Sequence, residues 1–264
     1  MTTPQAPITQ IAVSDGASIP DPKDKRLVTA WSISLVGAVT LLTYLCISRP
    51  ESYGAIIAVL PEGIGVTFKV TFLSICASLP IGLLVGLGKL SKNPAINLVA
   101  STYVEVIRGI PLLVQLFYIY FSLSYYLRLP NLAAAVIAIS FCYGAYMGEV
   151  FRAGINAIDK GQTEAARSLG FNKFQTMRYV ILPQAWRTIL PPIGNECIAM
   201  LKDTSLLSVV AIGDMFRIAR EHASVTFEYF ETYTTIAIIY LIITLILSKC
   251  VSLMEARLSY YDRH

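Results

Sequence analysis

Five of the ionisable side chains within apolar stretches stand out: Glu105, Arg108, Glu149, Lys202 and Asp203. A charge at the centre of a bilayer costs about 3 kcal/mol, so such residues usually face a cavity, an ion path or a partner charge. The planar fork of arginine matches a carboxylate, and a carboxylate in turn pairs with an ammonium group. The chemistry indicated is non-covalent recognition of a charged solute.

The estimated depth along the predicted helices indicates that three of these residues lie at a similar level in the bilayer. Arg108 and Glu149 each lie about 15 Å from one end of their helices, and Asp203 lies near the middle of its own. Arg108, Glu149 and Asp203 are therefore predicted to meet at one central cavity. The alternative is that Glu105–Arg108 and Lys202–Asp203 are structural pairs. Lys202 and Asp203 point about 100° apart, so both cannot face one pocket.

Catalytic and metal-binding patterns are not found in the sequence. Residues 85–91, VGLGKLS, resemble a phosphate-binding loop, but Leu83 and Leu90 stand where that motif requires glycine and serine or threonine. The five cysteines are far apart, each within an apolar run, and no pair has metal-ligand spacing. We therefore predict that the chain is not an enzyme and that it contains no cofactor of its own.

The composition is that of an integral membrane protein. Of the 264 residues, 55% are hydrophobic and only 14% charged, whereas a soluble domain carries about 25% charged residues. Mean hydropathy is +0.61. The net charge of +4 is explained by basic loop residues that set membrane orientation, so nucleic acid is not expected as a partner.

Hydropathy predicts an all-α protein with six membrane spans. The predicted spans are Val28–Ile47, Ile64–Leu87, Leu98–Leu127, Leu132–Phe151, Thr188–Ile212 and Tyr233–Met254. The first lacks a small-residue cleavage site, so it reads as a span rather than a signal peptide. Residues 1–27 are polar and predicted to be a disordered tail, and residues 49–63 are predicted to be a loop with a brief interfacial helix.

The distribution of Lys and Arg orients these spans. With both chain ends inside, thirteen loop cations lie inside and four lie outside. The four outside residues are Arg49, Arg128, Arg217 and Arg220. The polar segment 152–187, between the fourth and fifth spans, then falls on the inside.

The sequence of that polar segment predicts a folded structure outside the bilayer, with two short helices. Glu164, Ala165 and Ala166 belong to a helix-forming run, and Gly170 can adopt the left-handed conformation that ends a helix. Asn172–Tyr179 is predicted to be a second short helix. Leu182 precedes Pro183, which is predicted to break that helix before the chain returns to the bilayer.

The spacing Glu164-Ala165-Ala166, Gly170 and Ile181-Leu182-Pro183 resembles the "EAA" loop of permease subunits of bacterial ABC importers. Residues 103–115, YVEVIRGIPLLVQ, resemble the "RGxPLLVQ" helix of the polar amino acid uptake family, the histidine, glutamine and arginine-type permeases. Residues 145–155 and the segment Lys202–Leu206 are similar to further motifs of that family. The resemblance covers about residues 60–258.

The resemblance implies a five-helix permease core at residues 64–258, with a cytoplasmic coupling loop at 157–183. Residues 28–48 would be an extra N-terminal transmembrane helix, 49–63 a periplasmic loop and 259–264 a cytoplasmic tail. The coupling loop would contact a separate ATPase, which binds the ATP and Mg²⁺. Further implied partners are a periplasmic or lipid-anchored amino acid binding protein, a second permease copy or paralogue, and the lipid bilayer of the inner membrane.

In that family, positions matching Arg108, Glu149 and Asp203 line the substrate path. One cation against two carboxylates predicts a polar and basic L-amino acid as cargo; neutralisation of Asp203 by Lys202 would instead suit glutamine or another neutral amino acid. The charged outside segment predicts a binding-protein contact at Arg217 and Arg220. An ion- or proton-coupled secondary carrier is the alternative function, but a carrier does not need the coupling loop.

Overall fold

The apolar stretches of the sequence form a bundle of long helices in the computed structural model, which describes residues 29–210 and 212–260. No β-strand occurs in those two ranges, as predicted for an all-α protein. The helices are α1 (Ala30–Ser48), α2 (Ala55–Lys89), α3 (Pro94–Gly109), α4 (Leu112–Leu127), α5 (Asn131–Asn156), α6 (Lys160–Ser168), α7 (Lys173–Gln175), α8 (Leu182–Asp203), α9 (Met215–Thr226) and α10 (Tyr229–Tyr260).

Helices α2 and α5 share the largest helix–helix interface within the described ranges. Glycines lie four residues apart on each helix, Gly82 and Gly86 on α2 and Gly144 and Gly148 on α5. A Cβ atom on Gly86 would lie 2.7 Å from the Phe151 Cβ and 2.9 Å from the Gly148 carbonyl oxygen. Small residues at this spacing let the two backbones approach closely, which is how helices pack in membranes.

The segment before the predicted second span is helical, not a loop. Pro50–Gly54 is π-helical and runs directly into α2, so that Pro50–Lys89 forms 40 continuous helical residues. The predicted loop at 49–63 is therefore helical from Pro50 onward, and Pro61 and Gly63 lie inside α2. Gly63 marks a close contact, since its Cβ would lie 2.7 Å from the Met215 Cα.

The predicted third span is broken. Helices α3 and α4 meet at an angle of 109°. Ile110 has an extended backbone (φ −106°, ψ 136°), which the proline after it imposes. The Gln115 side-chain amide then donates to the carbonyls of Ile107 at 2.5 Å and Ile110 at 2.6 Å. These contacts satisfy carbonyls that the end of α3 leaves open.

Four helices in the described ranges are long and apolar enough to cross a membrane, or five if the bent pair counts as one span. They include α1 and α10, whereas α8 is not among them. The helix predicted at 28–48 is present as Ala30–Ser48, and Val28 lies outside the described residues, as do residues 1–27 and 261–264. Six spans with both ends cytoplasmic therefore remains a prediction.

Contacts define two ends of the bundle. At one end Arg49 pairs with Glu231 at 3.3 Å and the Ser52 hydroxyl donates to Glu228, which joins the start of α2 to the start of α10. At the other end Lys89 meets Glu149. The segment after α5 begins at this second end, so the predicted coupling loop lies opposite the α9–α10 turn.

Asp214 fixes the start of α9. It is fully buried, and its carboxylate accepts from the backbone N–H groups of Phe216 (3.0 Å) and Arg217 (3.2 Å). Burial raises the pKa of the Asp214 carboxyl to about 7, so the folded protein favours the neutral acid.

Two substitutions at Asp214 separate its capping role from its charge. Asp214→Ala should lose about 1 kcal/mol of stability, because both N–H groups lose their acceptor. Asp214→Asn keeps the cap and cannot ionise. In the unfolded chain this carboxyl ionises near pH ~4. The wild-type free energy of unfolding should thus fall as pH rises from there to about 7, since the folded state binds more protons across that window.

The measurement is thermal unfolding of the detergent-solubilised protein across this pH range. The stability difference between Asp214→Asn and wild type should grow in favour of Asp214→Asn as pH rises. A difference that does not change with pH would show that Asp214 is already ionised in the fold.

Candidate functional site

A cavity of about 460 Å³ opens between α3, α5 and α8. Three ionisable side chains line it, Arg108, Glu149 and Glu196, together with the Tyr146 ring. Small and apolar positions of α5 and α8 complete the wall: Val150, Ala153, Gly154, Ala157, Thr188 and Pro192. The cavity thus offers one arginine and two carboxylates on an otherwise weakly polar surface.

Arg108 reaches this cavity from the last turn of α3, directly before the break at Ile110. Its guanidinium lies over the Tyr146 ring, 5.5 Å from the centroid. Such stacking is favourable and leaves the edge of the guanidinium fork able to donate to a carboxylate. Within the described ranges Arg108 forms no ion pair with Glu105, so the alternative of a structural Glu105–Arg108 pair is wrong.

Glu149 is held by two cations. Lys89 donates to its Oε1, and Arg152 donates to its Oε2 through Nε at 3.0 Å and Nη2 at 2.7 Å. The Lys89 and Glu149 side chains are 17% and 18% exposed, so solvent screens this pair less than a surface pair. Glu149 therefore lines the cavity with its charge compensated by Lys89 and Arg152, and not as an open carboxylate.

Glu196 was not predicted from the sequence. It lies on α8 two turns after Thr188, and the series Thr188, Pro192 and Glu196 repeats every four residues along one helix face. Its electrostatic neighbours are Arg108 and Asp203. The missed signal was this spacing: a carboxylate seven residues before Asp203 occupies nearly the same face of the helix.

Asp203 does not line the cavity. Its carboxylate accepts from the Tyr143 hydroxyl at 2.7 Å. Asp203 follows Glu196 by seven residues, which places it about 10 Å further along α8. Lys202 faces a different groove, alongside Phe216, Tyr233 and Tyr240, so a Lys202–Asp203 pair is not formed in the described part of the chain. The structure brings Arg108 and Glu149 together and leaves Asp203 beyond them.

The predicted coupling segment folds as two short helices joined at a glycine. Asp159 caps α6 by accepting from the Gly161 N–H at 2.6 Å. Gly170 has φ +88°, a conformation that glycine adopts without strain. Of the three motif residues, Glu164 and Ala165 are exposed and Ala166 is buried. Leu169, Phe174 and Tyr179 present large exposed apolar surfaces, at 79%, 75% and 64%.

Pro183 does not break the helix, contrary to prediction. The chain runs from α7 through a π-helical segment, Thr176–Ile181, straight into α8. Leu182 and Pro183 form the first turn of α8, where the missing N–H of proline is tolerated. The π-helical stretch changes the hydrogen-bond register before that turn. The coupling segment is therefore mechanically continuous with the helix that carries Glu196.

Arg217 and Arg220 lie on α9, at the end of the bundle opposite the coupling segment. Arg217 pairs with Glu221 at 2.6 Å. Arg220 donates to the Ser208 carbonyl at 3.0 Å, within the 3₁₀ segment Thr204–Val210. Both residues thus have partners inside the chain, and Arg220 holds α9 against that segment.

The chain combines helices that are apolar enough to span a membrane, a cavity lined by charged side chains, and a folded polar segment at one end. These features are typical of a membrane transport component that works with another protein. The family model for the "binding-protein-dependent transport system inner membrane component" matches residues 78–260. The chain belongs to this family. It is an inner membrane permease subunit, and ATP hydrolysis is carried out by a separate subunit; the importers of this family work with ATPase and binding-protein subunits.

Two relatives and two solved structures illustrate the similarity. The glutamine transport system permease protein GlnP of Escherichia coli (strain K12) is 40% identical over 205 residues, 76% of this chain and 94% of the relative. The arginine transport system permease protein ArtQ of Bacillus subtilis (strain 168) is 37% identical over 203 residues, 76% of this chain and 93% of the relative.

The crystal structure of an amino acid ABC transporter with histidines contains a chain 46% identical to this one, with a TM-score of 0.72. The match covers 80% of this chain and 97% of that chain. The MetNI methionine ABC transporter shares the fold alone, at 19% identity and a TM-score of 0.69, covering 77% of this chain and 98% of that one. The predicted fold class and the predicted transporter role are confirmed.

The Lys89–Glu149 contact predicts strong energetic coupling between α2 and α5. Glu149→Gln leaves two cations side by side, and Lys89→Met leaves Glu149 with Arg152 alone, so each single variant should lose stability. The double variant should lose less than the sum, with a coupling energy of about 1 kcal/mol or more. Thermal unfolding in detergent measures all three.

Arg49→Met and Glu231→Gln provide the matched control pair, because the Arg49 side chain is 69% exposed and such pairs contribute about 0.5 kcal/mol or less. Equal coupling in both cycles would contradict a special role for the Glu149 cluster.

Proposed function

We propose that this chain forms the translocation path of an importer for polar L-amino acids. The observation that carries the proposal is the cavity, which presents Arg108 and Glu196 to a solute. An amino acid needs a cation for its carboxylate and an anion for its ammonium group, and these two side chains supply both. The relatives named for glutamine and arginine transport support the same substrate class.

The charge pattern favours a neutral cargo. The prediction of a basic amino acid from the sequence depended on two open carboxylates, Glu149 and Asp203. Glu149 is occupied by Lys89 and Arg152, and Asp203 by Tyr143. Arg108 and Glu196 then balance a zwitterion with an uncharged side chain, such as glutamine. An acidic cargo would bring a second carboxylate of its own to a cavity in which Arg108 already binds the first, and it is the least favoured.

Coupling to the ATPase is proposed to occur through α6 and the turn after it. The exposed groups Glu164, Ala165, Leu169 and Phe174 form a surface with both charge and apolar area, which suits a groove on a soluble partner. Ala166 is small because α6 packs on the π-helical segment there. Leu182 and Pro183 would transmit the movement into α8. ATP and Mg²⁺ belong to that partner ATPase.

Two further partners complete the proposed importer. A second permease copy, or a paralogue, would close the open side of the cavity. A periplasmic or lipid-anchored binding protein would deliver the amino acid at the opposite end of the bundle, near α9. Reconstitution with the ATPase and binding protein in proteoliposomes, with uptake of glutamine, arginine and glutamate measured separately, tests the whole proposal.

Gly170→Val is predicted to uncouple transport. A β-branched residue at φ +88° is strained, so the turn that presents α6 should be disturbed. We expect uptake to fall at least tenfold while the protein still inserts in the membrane. Gly170→Asn serves as the control, because asparagine tolerates the left-handed conformation. Normal uptake by Gly170→Val would remove the coupling role of this turn.

Glu196→Gln is predicted to weaken recognition of the ammonium group. Uptake at low substrate should fall at least tenfold, since a charge-assisted hydrogen bond becomes a neutral one. Glu105→Gln is the matched control, because Glu105 is an exposed carboxylate of α3 outside the cavity. Both variants are compared at equal levels of assembled complex. Equal uptake by both would refute the assignment of Glu196.

Charge reversal of both Arg217 and Arg220 tests the binding-protein contact. If α9 is the docking surface, stimulation of ATP hydrolysis by the binding protein should weaken as its half-saturating concentration rises. Arg217→Glu is also measured alone, because charge reversal at Arg220 would in addition remove the hydrogen bond that holds α9 against the 3₁₀ segment. Unchanged stimulation by Arg217→Glu together with Arg220→Glu would place the docking surface elsewhere.

A further inference from the structure

The turn between α9 and α10 carries four large apolar side chains outward. Val225, Phe227 and Phe230 are 78%, 78% and 75% exposed, and Tyr229 is 44% exposed. We refer to Val225, Phe227, Tyr229 and Phe230 as the apolar tip. None of the four is charged. Glu228 lies between them in the chain, and its carboxylate accepts from the Ser52 hydroxyl. The nearest ionic residue of α9, Glu221, lies about one turn before Val225.

Phe227 holds an unfavourable backbone conformation at this tip. Its φ is +62°, and its N–H donates to the Ala223 carbonyl at 2.8 Å, which ends α9. Glycine or asparagine fits such a position best, and a bulky residue there costs about 1–2 kcal/mol. Strained positions of this kind concentrate at functional sites.

The tip is continuous with the lipid-facing surface of the bundle. Tyr229 and Phe230 line a groove of about 580 Å³ together with Leu41 of α1 and Tyr233 and Ile238 of α10. Helix α1 is a candidate membrane span of which only 6% is buried inside the protein, so the side of the groove formed by Leu41 borders lipid. Leu41 lies seven residues, or about 10 Å, below the end of α1.

Charged and polar residues lie beside the apolar tip. Arg49, at the end of α1, pairs with Glu231, and Ser52 contacts Glu228. The apolar tip thus lies between a cluster of charged residues and an apolar groove. Such a junction is typical of the membrane–water interface, where tyrosine is enriched and where phenylalanine inserts into the boundary of the acyl chains.

We propose that the α9–α10 turn is a membrane anchor, which places Val225, Phe227 and Phe230 in the lipid interface at the end of the bundle opposite the coupling segment. The partner is a lipid surface and not the binding protein, because the four exposed side chains are apolar, the carboxylate that lies between them, Glu228, is already bound by Ser52, and the tip continues a surface that borders lipid. The proposal stands independently of the amino acid that the chain transports.

Tryptophan fluorescence in lipid nanodiscs tests the anchor. Phe227→Trp is compared with Phe174→Trp, a residue equally exposed at 75% but located on the coupling segment. Emission of the wild type, from Trp31 and Trp186, is subtracted. Phe227→Trp should emit at shorter wavelength, lose about half of its emission in brominated phosphatidylcholine and resist quenching by aqueous iodide. Phe174→Trp should behave in the opposite way.

Val225→Trp repeats the test on the last turn of α9, in case tryptophan disturbs the strained position 227. Emission at long wavelength that iodide quenches and brominated lipid does not, at both positions, would overturn the anchor. A spectral change at both positions only on addition of the binding protein would overturn it too, and would assign the tip to the docking surface.

Discussion

The rest of the structure depends on the close contact of α2 with α5. Gly82 and Gly86 face Met147, Gly148 and Phe151, and no side chain longer than hydrogen fits at either glycine without moving a backbone. In a bilayer, helices gain little from apolar burial as such, so close packing of this kind supplies much of the association energy. α5 continues the pattern on another face, where Gly154 receives Ile189 of α8. One helix with small residues on several faces thereby holds the bundle together.

The site is a consequence of that contact. Because α2 and α5 run in the same direction, the end of α2 brings Lys89 beside Glu149, one turn before Arg152 on α5. This cluster neutralises a carboxylate that would otherwise be exposed to the cavity. Arg108 lies in the last turn of α3, directly before the helix break. The charges of the cavity thus lie beside two features of the backbone, a close helix contact and a helix break.

Local signals and tertiary contacts differ in how well the sequence reveals them. Gly170 and the cap at Asp159 are local, and the coupling segment could be predicted from its motif. Gln115 is also part of a motif, but its bonds to the Ile107 and Ile110 carbonyls depend on the bend that they stabilise, so the 109° angle within the predicted third span could not be derived from the motif. Pro61 lies inside α2, because helices in membranes tolerate proline where packing compensates.

The sequence indicated that charged residues would line a cavity, but it identified only some of these residues: Arg108 and Glu149 line it, Asp203 does not, and Glu196 was missed. Arg108 and Glu149 lie in strongly apolar stretches, so their positions alone indicated the cavity. Glu196 also lies within a predicted span, Thr188–Ile212, but it directly follows Asn195 and the helix α8 is less apolar than α3 and α5, so it contrasted less with its surroundings. Nor could pairing be predicted: Lys89 is sixty residues from Glu149 in the sequence, and only the contact of α2 with α5 joins them.

The two helices that supply most of the cavity wall are also the two that flank the coupling segment. α5 ends at Asn156 and α8 begins at Leu182, with α6, α7 and the π-helical segment between them. Tyr146 and Glu149 lie two to three turns before that segment, and Thr188, Pro192 and Glu196 lie two to four turns after it. A displacement of the segment must therefore shift α5 against α8 or bend one of them. α5 is fixed to α2 by backbone contact, and the first part of α8 is fixed to α5 where Ile189 packs on Gly154. Directly after Ile189, Pro191 and Pro192 lie within α8, and each removes a backbone hydrogen bond. A bend of α8 is therefore expected at these prolines, before Glu196. Movement of the coupling segment is thus expected to change the position of Glu196 relative to Arg108 in the cavity.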